Sequence, residues 1–276
     1  MLVSYKKLLA IIFTSIFLTS CDDSKEENLD DVSSESNIEI SDSQKNLSQK
    51  VFNAMPARET IIHLINEGKS EYNAQFLSNP DKLNEYILES SRALNLGVYG
   101  ADLNTANIYD QAQESMLFFK CVNILAKSIG VSDSFDENMG DRMTANQSNR
   151  DSTLSIISQA FTKADVTLRK NGRAGVSALL VSGLWIEGLY VACETAKETG
   201  NETIIKEIFQ QNESLHNLIE LLNSSELSTE VTFILAELKE LKKLMEDKKD
   251  AVFTLQTLTV LNNKISPLRT KIISLK

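Results

Sequence analysis

The sequence contains few residues that interrupt helices and none of the marks of a nucleic-acid-binding or disulfide-stapled protein. It has 10 Gly and 3 Pro among 276 residues, which favours long helices over a turn-rich β fold. Its formal net charge of −10 leaves no basic face for phosphate contacts, so nucleic acid is not an expected partner. Three Cys in so long a chain do not make a disulfide framework.

Catalytic and metal-binding motifs are also missing from the sequence. It has no Gly-rich phosphate loop, no Gly-x-Ser-x-Gly, no His-Glu-x-x-His and no Cys-x-x-Cys. Glu213-x-x-His216 matches half of the di-iron carboxylate pattern, which needs a second Glu-x-x-His that this chain lacks. The sequence therefore predicts no catalytic residue, no cofactor and no metal ligands.

The most apolar stretch after the first twenty-one residues is 175–193, GVSALLVSGLWIEGLYVAC. A helix that is apolar on nearly every face must be buried, either inside a protein or in a membrane. We expect the central helix of a bundle here, because the amphipathic segments on both sides need a core to pack against. A membrane span is the alternative, which Glu187 disfavours.

The remaining apolar residues recur at helical spacing in one segment after another, with short joints between them. This pattern predicts an all-α fold, an antiparallel bundle of about eight helices over residues 51–276. Gly97, Gly100 and Ala101 would let a second helix approach closely. The last stretch, 252–275, is expected to be helical with an interruption near Pro267.

The first twenty residues have the pattern of a secretory signal peptide. Lys6 and Lys7 lie in a short basic head, residues 8–18 form an apolar run, and the run ends in LTSC at Cys21. The apolar run is too short to span a membrane, because a spanning helix needs about 20 apolar residues.

The LTSC sequence resembles the lipobox of bacterial lipoproteins. The resemblance implies cleavage before Cys21 and transfer of diacylglycerol to its thiol, which would anchor the protein to a membrane through lipid. The segments ALNLGVYGADL (93–103) and SGLWIEGLYVA (182–192) are similar to a group of helical envelope lipoproteins. That second resemblance implies a cell-envelope location and a helical fold, but no activity.

Residues 21–50 are expected to form a disordered tether behind the lipidated Cys21. The segment 22–47 holds nine acidic and two basic residues, a net charge of −7, and no aromatic residue. Such a composition cannot bury enough surface to offset its chain entropy. Lys25-Glu26-Glu27 resembles the export signal of some surface lipoproteins. The protein could therefore be displayed on the cell surface or on the periplasmic face of the outer membrane, and both locations stay open.

Glu187 is the sharpest candidate for a functional residue, because an ionised carboxylate in a dry core must be paired, hydrogen-bonded, protonated or exposed to a wet cavity. Arg173, Arg92 and a polar helix face with Asp102 are its expected neighbours. One interpretation is a structural ion pair. The other is a ligand pocket lined by Glu187, Asp102, Tyr99, Trp185 and Tyr190.

Two functions follow from these observations. The first is a lipid-anchored, non-enzymatic helical module that binds an envelope protein or a small ligand. The second is an envelope enzyme or metal-binding protein that uses Glu187 and Asp102. Pairing of Cys121 with Cys193, which an oxidising compartment would allow, is left open.

Overall fold

The computed structural model describes residues 42–53, 58–247 and 254–276, and these contain eleven α-helices, three short 3-10 helices and no strand. The all-α prediction is therefore confirmed. All described residues belong to one compact unit, 37–276. The predicted signal peptide, Cys21 and the tether up to residue 41 lie outside the described residues.

The helices follow one another with short connections. They are α1 (Asp42–Asn53), α2 (Arg58–Asn66), α3 (Glu89–Ile108), α4 (Ala112–Ser128), α5 (Glu137–Ala145), α6 (Arg150–Lys170), α7 (Ala174–Thr199), α8 (Glu202–Phe209), α9 (Asn212–Asn223), α10 (Thr229–Asp247) and α11 (Leu255–Ile272). The 3-10 helices are Ala74–Phe76, Pro80–Glu85 and Ser132–Ser134.

Helix α7 is the buried central helix that the apolar stretch predicts. Leu179, Leu184 and Leu189 are 2%, 5% and 0% exposed. Among the described residues it is the one helix long and apolar enough to cross a membrane, but 89% of its most apolar window is buried inside the protein. Its surroundings are those of a core helix, and Gly200 ends it in the left-handed conformation.

Helices α3 and α7 approach each other backbone to backbone. A Cβ at Gly97 would overlap the carbonyl oxygen of Leu180 and lie 2.5 Å from the amide nitrogen of Leu184. A Cβ at Gly183 would overlap the carbonyl oxygen of Leu94. The close approach predicted at Gly97 is confirmed, and its counterpart on α7 is Gly183.

Helix α1 extends into the segment expected to be disordered, since it begins at Asp42 and packs against α6, α7 and α9. Val51 and Phe52 are 1% and 7% exposed, and Leu47 packs beside the core. The apolar side of this helix includes residues before and after residue 50, where the tether was expected to end. For residues 42–50 the expectation of disorder was therefore wrong, because their packing partners come from distant parts of the chain.

Helix α11 is continuous through Pro267, where the sequence predicts an interruption. Proline removes one backbone hydrogen bond from a helix interior. Pro267 is exposed, whereas its neighbours Ile265 and Leu268 are buried. The packing of the buried side holds the helix together, and water can satisfy the carbonyl that loses its partner.

Alanine at Gly183 tests the close approach of α3 and α7. The added methyl group would force the two backbones apart, so Gly183→Ala should lower the free energy of unfolding by at least about 2 kcal/mol in spite of its better helix propensity. Urea unfolding measures the change. Gly140→Ala is the matched control, because its Cβ would meet only the Phe119 side chain at 3.0 Å. Equal effects of the two substitutions would contradict the close approach.

Candidate functional site

Glu187 forms a two-pronged ion pair with Arg269 inside the core. The Arg269 Nε donates to Oε2 of Glu187 at 2.9 Å and the Arg269 Nη2 donates to Oε1 at 2.8 Å. The Glu187 side chain is fully buried and that of Arg269 is 11% exposed. This fork geometry gives the strongest hydrogen bonds that a carboxylate can make with a cation in a protein.

Ser78 joins a second carboxyl group, Asp102, to this pair. Its hydroxyl lies 3.4 Å from Oε1 of Glu187 and accepts a hydrogen bond from Arg269 Nη2 at 2.8 Å. Its backbone N–H donates to Oδ2 of Asp102 at 3.1 Å. Ser78 immediately precedes the 3-10 helix that Asn79 caps. The turn of the chain at this point positions both the hydroxyl and the backbone N–H of Ser78. We call Asp102, Glu187, Arg269 and Ser78 the core polar cluster.

The two carboxyl groups differ in their electrostatic surroundings. Burial, and then the nearby charge of Glu187, raise the pKa of Asp102 well above its usual value. Burial opposes the charge of Arg269, but the hydrogen bonds and charge of Glu187 outweigh it and raise the pKa of Arg269. Burial and the neighbouring Glu187 thus both favour the uncharged form of Asp102, which lies beside the Glu187–Arg269 ion pair.

Two tyrosines complete the surroundings of the core polar cluster. The Arg269 guanidinium lies 4.7 Å from the centre of the Tyr190 ring, within the range of a cation–π contact. The Tyr99 hydroxyl donates to the carbonyl of Asn79 at 2.9 Å, beside Ser78. Burial raises the pKa of Tyr99, which keeps this hydroxyl protonated.

The structure therefore brings together four of the five residues of the expected ligand pocket and separates the fifth. Trp185 is two residues from Glu187, which places it on the opposite side of α7, where its indole N–H donates to Ser214 Oγ at 2.9 Å. Glu187, Asp102, Tyr99 and Trp185 are each 1% exposed or less. They contact other parts of the protein rather than an open space.

The partner of Glu187 is not one of the arginines expected from the sequence. Arg173 pairs with Glu89 and donates to the carbonyl of Ile129, and Arg92 donates to the carbonyl of Tyr86. Arg269 lies 82 residues beyond Glu187. The one signal that could have identified it is that it is the single Arg in the apolar C-terminal stretch.

A second buried ion pair joins α1, α6 and α7. Asp165 accepts from Arg169 Nε at 2.7 Å, from Ser48 Oγ at 2.6 Å and from Ser177 Oγ. The Nη1 and Nη2 atoms of Arg169 are buried without a hydrogen-bond partner. Because Ser48 comes from α1, this pair fixes the first described helix to the bundle.

The cysteines and histidines of the described region show no reactive arrangement. Cys121 and Cys193 are buried and free. Burial raises the pKa of Cys121 to about 11 and also raises that of Cys193, so neither is a ready thiolate. Glu213 and His216 are exposed, and the described residues contain no group of three or more His, Cys, Asp or Glu suited to a metal ion.

A cleft of about 610 Å³ lies between α1 and α6, away from the core polar cluster. Its floor includes Phe52, Leu154 and Leu184, and its walls include Gln49, Ser155 and Ser158. Small-ligand sites in proteins have volumes of about 300–1,000 Å³ and mix apolar surface with a few polar groups. Sequence patterns could not indicate this cleft, because its two sides come from helices about a hundred residues apart in the chain.

No protein-family model, curated protein or solved structure matches this chain. The fold and the site geometry are therefore explained from the residues of this chain alone.

Removing the charge of Glu187 tests whether the core polar cluster is structural. Glu187→Gln removes the carboxylate that accepts the hydrogen bonds of Arg269 Nε and Nη2 and leaves only Asp102 as a nearby acidic group, so the free energy of unfolding should fall by about 3 kcal/mol. Glu198→Gln, an exposed position on the same helix, should change it by less than about 0.5 kcal/mol. A Glu187→Gln protein as stable as the wild type in urea would mean that the ion pair does not stabilise the fold.

The raised pKa of Asp102 predicts a dependence of stability on pH. Above about pH 4 the unfolded chain releases a proton that native Asp102 retains, so this residue's contribution is lost as pH rises. Asp102→Asn keeps a neutral side chain at every pH. Urea unfolding from pH 4 to pH 8 should show the variant gaining stability relative to the wild type as pH increases. Parallel curves for the two proteins would contradict the raised pKa.

Proposed function

We propose that this protein is a lipid-anchored helical module of the bacterial cell envelope that binds a partner protein or a small ligand and is not an enzyme. The observation that carries the proposal is the LTSC sequence at Cys21, directly after a basic head and a short apolar run. Two or three acyl chains at one N-terminus give a stable anchor, whereas one chain gives marginal binding. The anchor holds the domain at the outer membrane, on the surface or the periplasmic face.

The closed core polar cluster supports binding over catalysis. An enzyme needs polar groups that converge on a cleft open to its substrate. The alternative function, an envelope enzyme using Glu187 and Asp102, requires these carboxyl groups to reach a substrate, yet both are 0% exposed. Glu187 has both oxygens on Arg269, a pairing that leaves the carboxylate little capacity for proton transfer.

The position of the open cleft also supports a binding role. It lies beside α1, which begins within the acidic segment, on a surface made by helices rather than by loops. A rigid helical surface is suited to holding a ligand in a fixed geometry.

Replacement of Cys21 tests the anchor. The full-length protein and the variants Cys21→Ser and Cys121→Ala are expressed in a bacterial host with labelled palmitate. We expect the wild type and Cys121→Ala to incorporate label and to fractionate with membranes, and Cys21→Ser to lose both properties. A Cys21→Ser protein that still labels and still sediments with membranes would contradict the proposed function.

A further inference from the structure

Helix α4 has one face that no other part of the described chain covers. The helix packs against α3, with the 3-10 helices Pro80–Glu85 and Ser132–Ser134 beside it. Its exposed residues recur at intervals of three or four, so they share the side away from α3. We call this surface the α4 outer face, and it consists of Gln113, Met116, Leu117, Lys120, Ile124 and Lys127.

The α4 outer face carries a patch of apolar side chains. Met116, Leu117 and Ile124 are 46%, 45% and 42% exposed. A single exposed Leu is ordinary on a protein surface, but several on one helix face form a patch of the kind that marks a contact site. Covering this patch would remove apolar surface from water, so an apolar partner is favoured there.

Two further exposed apolar residues lie close to this face. Ile87 and Leu88 directly precede α3 and are 67% and 54% exposed. Arg173 connects the start of α3 to the end of α4, because its guanidinium contacts Glu89 and donates to the carbonyl of Ile129. Ile87 and Leu88 therefore lie near the end of α4, where they add to the exposed apolar surface.

The charges of the α4 outer face are positive, although the formal net charge of the protein is −10. Lys120 and Lys127 are exposed, and neither forms an ion pair within the described part of the chain. Glu114, the one acidic residue of α4, is only partly exposed. Aliphatic side chains beside lysines are typical of helices that lie in a membrane interface, where the lysines contact anionic headgroups.

The size of this surface argues against a second copy of the chain as its partner. A stable protein–protein contact takes about 800 Å² and about 20–30 residues from each partner. The α4 outer face and the two residues before α3 supply far fewer. A bilayer requires less of this face, because the lipid proposed at Cys21 would already hold the domain beside the membrane.

The proposed anchor allows the α4 outer face to reach the membrane. Residues 22–41 separate Cys21 from the start of α1. A chain of about 20 residues can span up to about 70 Å, whereas a compact domain of this size has a diameter of about 45 Å. The covalent connection at Cys21 therefore permits any side of the domain to face the bilayer.

From this geometry we propose that the α4 outer face docks on the anionic phospholipid bilayer that carries the anchor. Leu117 and Ile124 enter the boundary between headgroups and acyl chains, and Lys120 and Lys127 contact phosphate groups. This inference rests on the proposed lipid anchor and adds the orientation of the domain on the membrane.

Photo-crosslinking from lipid identifies the face that contacts the membrane. The full-length lipidated protein is reconstituted, one copy per disc, in nanodiscs of phosphatidylcholine and phosphatidylglycerol. The phosphatidylglycerol bears a diazirine near the top of one acyl chain. After irradiation, peptide mapping by mass spectrometry should find adducts within residues 113–127. Raised salt should weaken this labelling, because the lysine contacts are electrostatic.

Two double variants test the apolar contact. Leu117→Ser with Ile124→Ser removes aliphatic surface from the α4 outer face and should reduce labelling of α4 about fivefold or more. Leu255→Ser with Val260→Ser is the matched control on α11, where the two side chains are 46% and 40% exposed, and it should leave α4 labelling unchanged. Cooperative thermal unfolding of each variant confirms that it is folded.

A second pair of double variants tests the lysines. Lys120→Gln with Lys127→Gln should reduce labelling of α4 about fivefold or more in the anionic discs. Lys239→Gln with Lys243→Gln removes two exposed lysines from α10 instead and should leave the labelling unchanged.

An unlabelled α4 in anionic discs, or equal labelling of α4 in the wild type and in both α4 variants, would overturn the inference. Crosslinks between Lys120 of two copies that replace the lipid adducts would also overturn it, since they would place a second chain on this face. The anchor is measured separately through palmitate at Cys21. An anchored protein with α4 unlabelled overturns the docking alone, whereas labelled α4 without lipid at Cys21 overturns the anchor and leaves the docking face standing.

Discussion

The contact between α3 and α7 at Gly97 and Gly183 is the constraint on which the remaining structure depends. Any side chain at these two positions would overlap the backbone of the opposite helix. With the backbones in contact, Asp102 on α3 lies close enough to Glu187 on α7 for one charge to affect the other. The close packing of two helices thus brings two carboxyl groups near each other in the core. Arg269, from a third helix, α11, supplies a positive charge that pairs with Glu187.

The ionisable groups of the core polar cluster interact with one another rather than with groups at the protein surface. Arg269 pairs with Glu187, and burial favours the uncharged form of Asp102. Such an arrangement specifies which helices pack together but offers no exposed reactive group. The cleft between α1 and α6 shares no lining residue with this cluster, and it combines apolar side chains such as Phe52 and Leu154 with polar ones such as Asn104 and Ser158.

Sequence patterns predicted the parts of the structure that depend on local spacing. The buried helix around Leu184 and the close approach at Gly97 follow from apolar and small residues along one helix. The partner of Glu187 could not be predicted, because an ion pair across 82 residues depends on tertiary packing. The separation of Trp185 from Glu187 was predictable from helical geometry, since two residues correspond to about 200° of rotation. The place of Asn104 in the cleft was missed because only the fold brings it beside residues of α1 and α6.

Amide hydrogen exchange of the full-length protein tests most directly whether α3 and α7 form the structural centre. If they do, the amides around Gly97 and those of Leu179 to Leu189 should exchange only through global unfolding, and should be the slowest in the chain. Protection that is greatest elsewhere, with α7 amides exchanging as fast as those of the short 3-10 segments, would contradict the account.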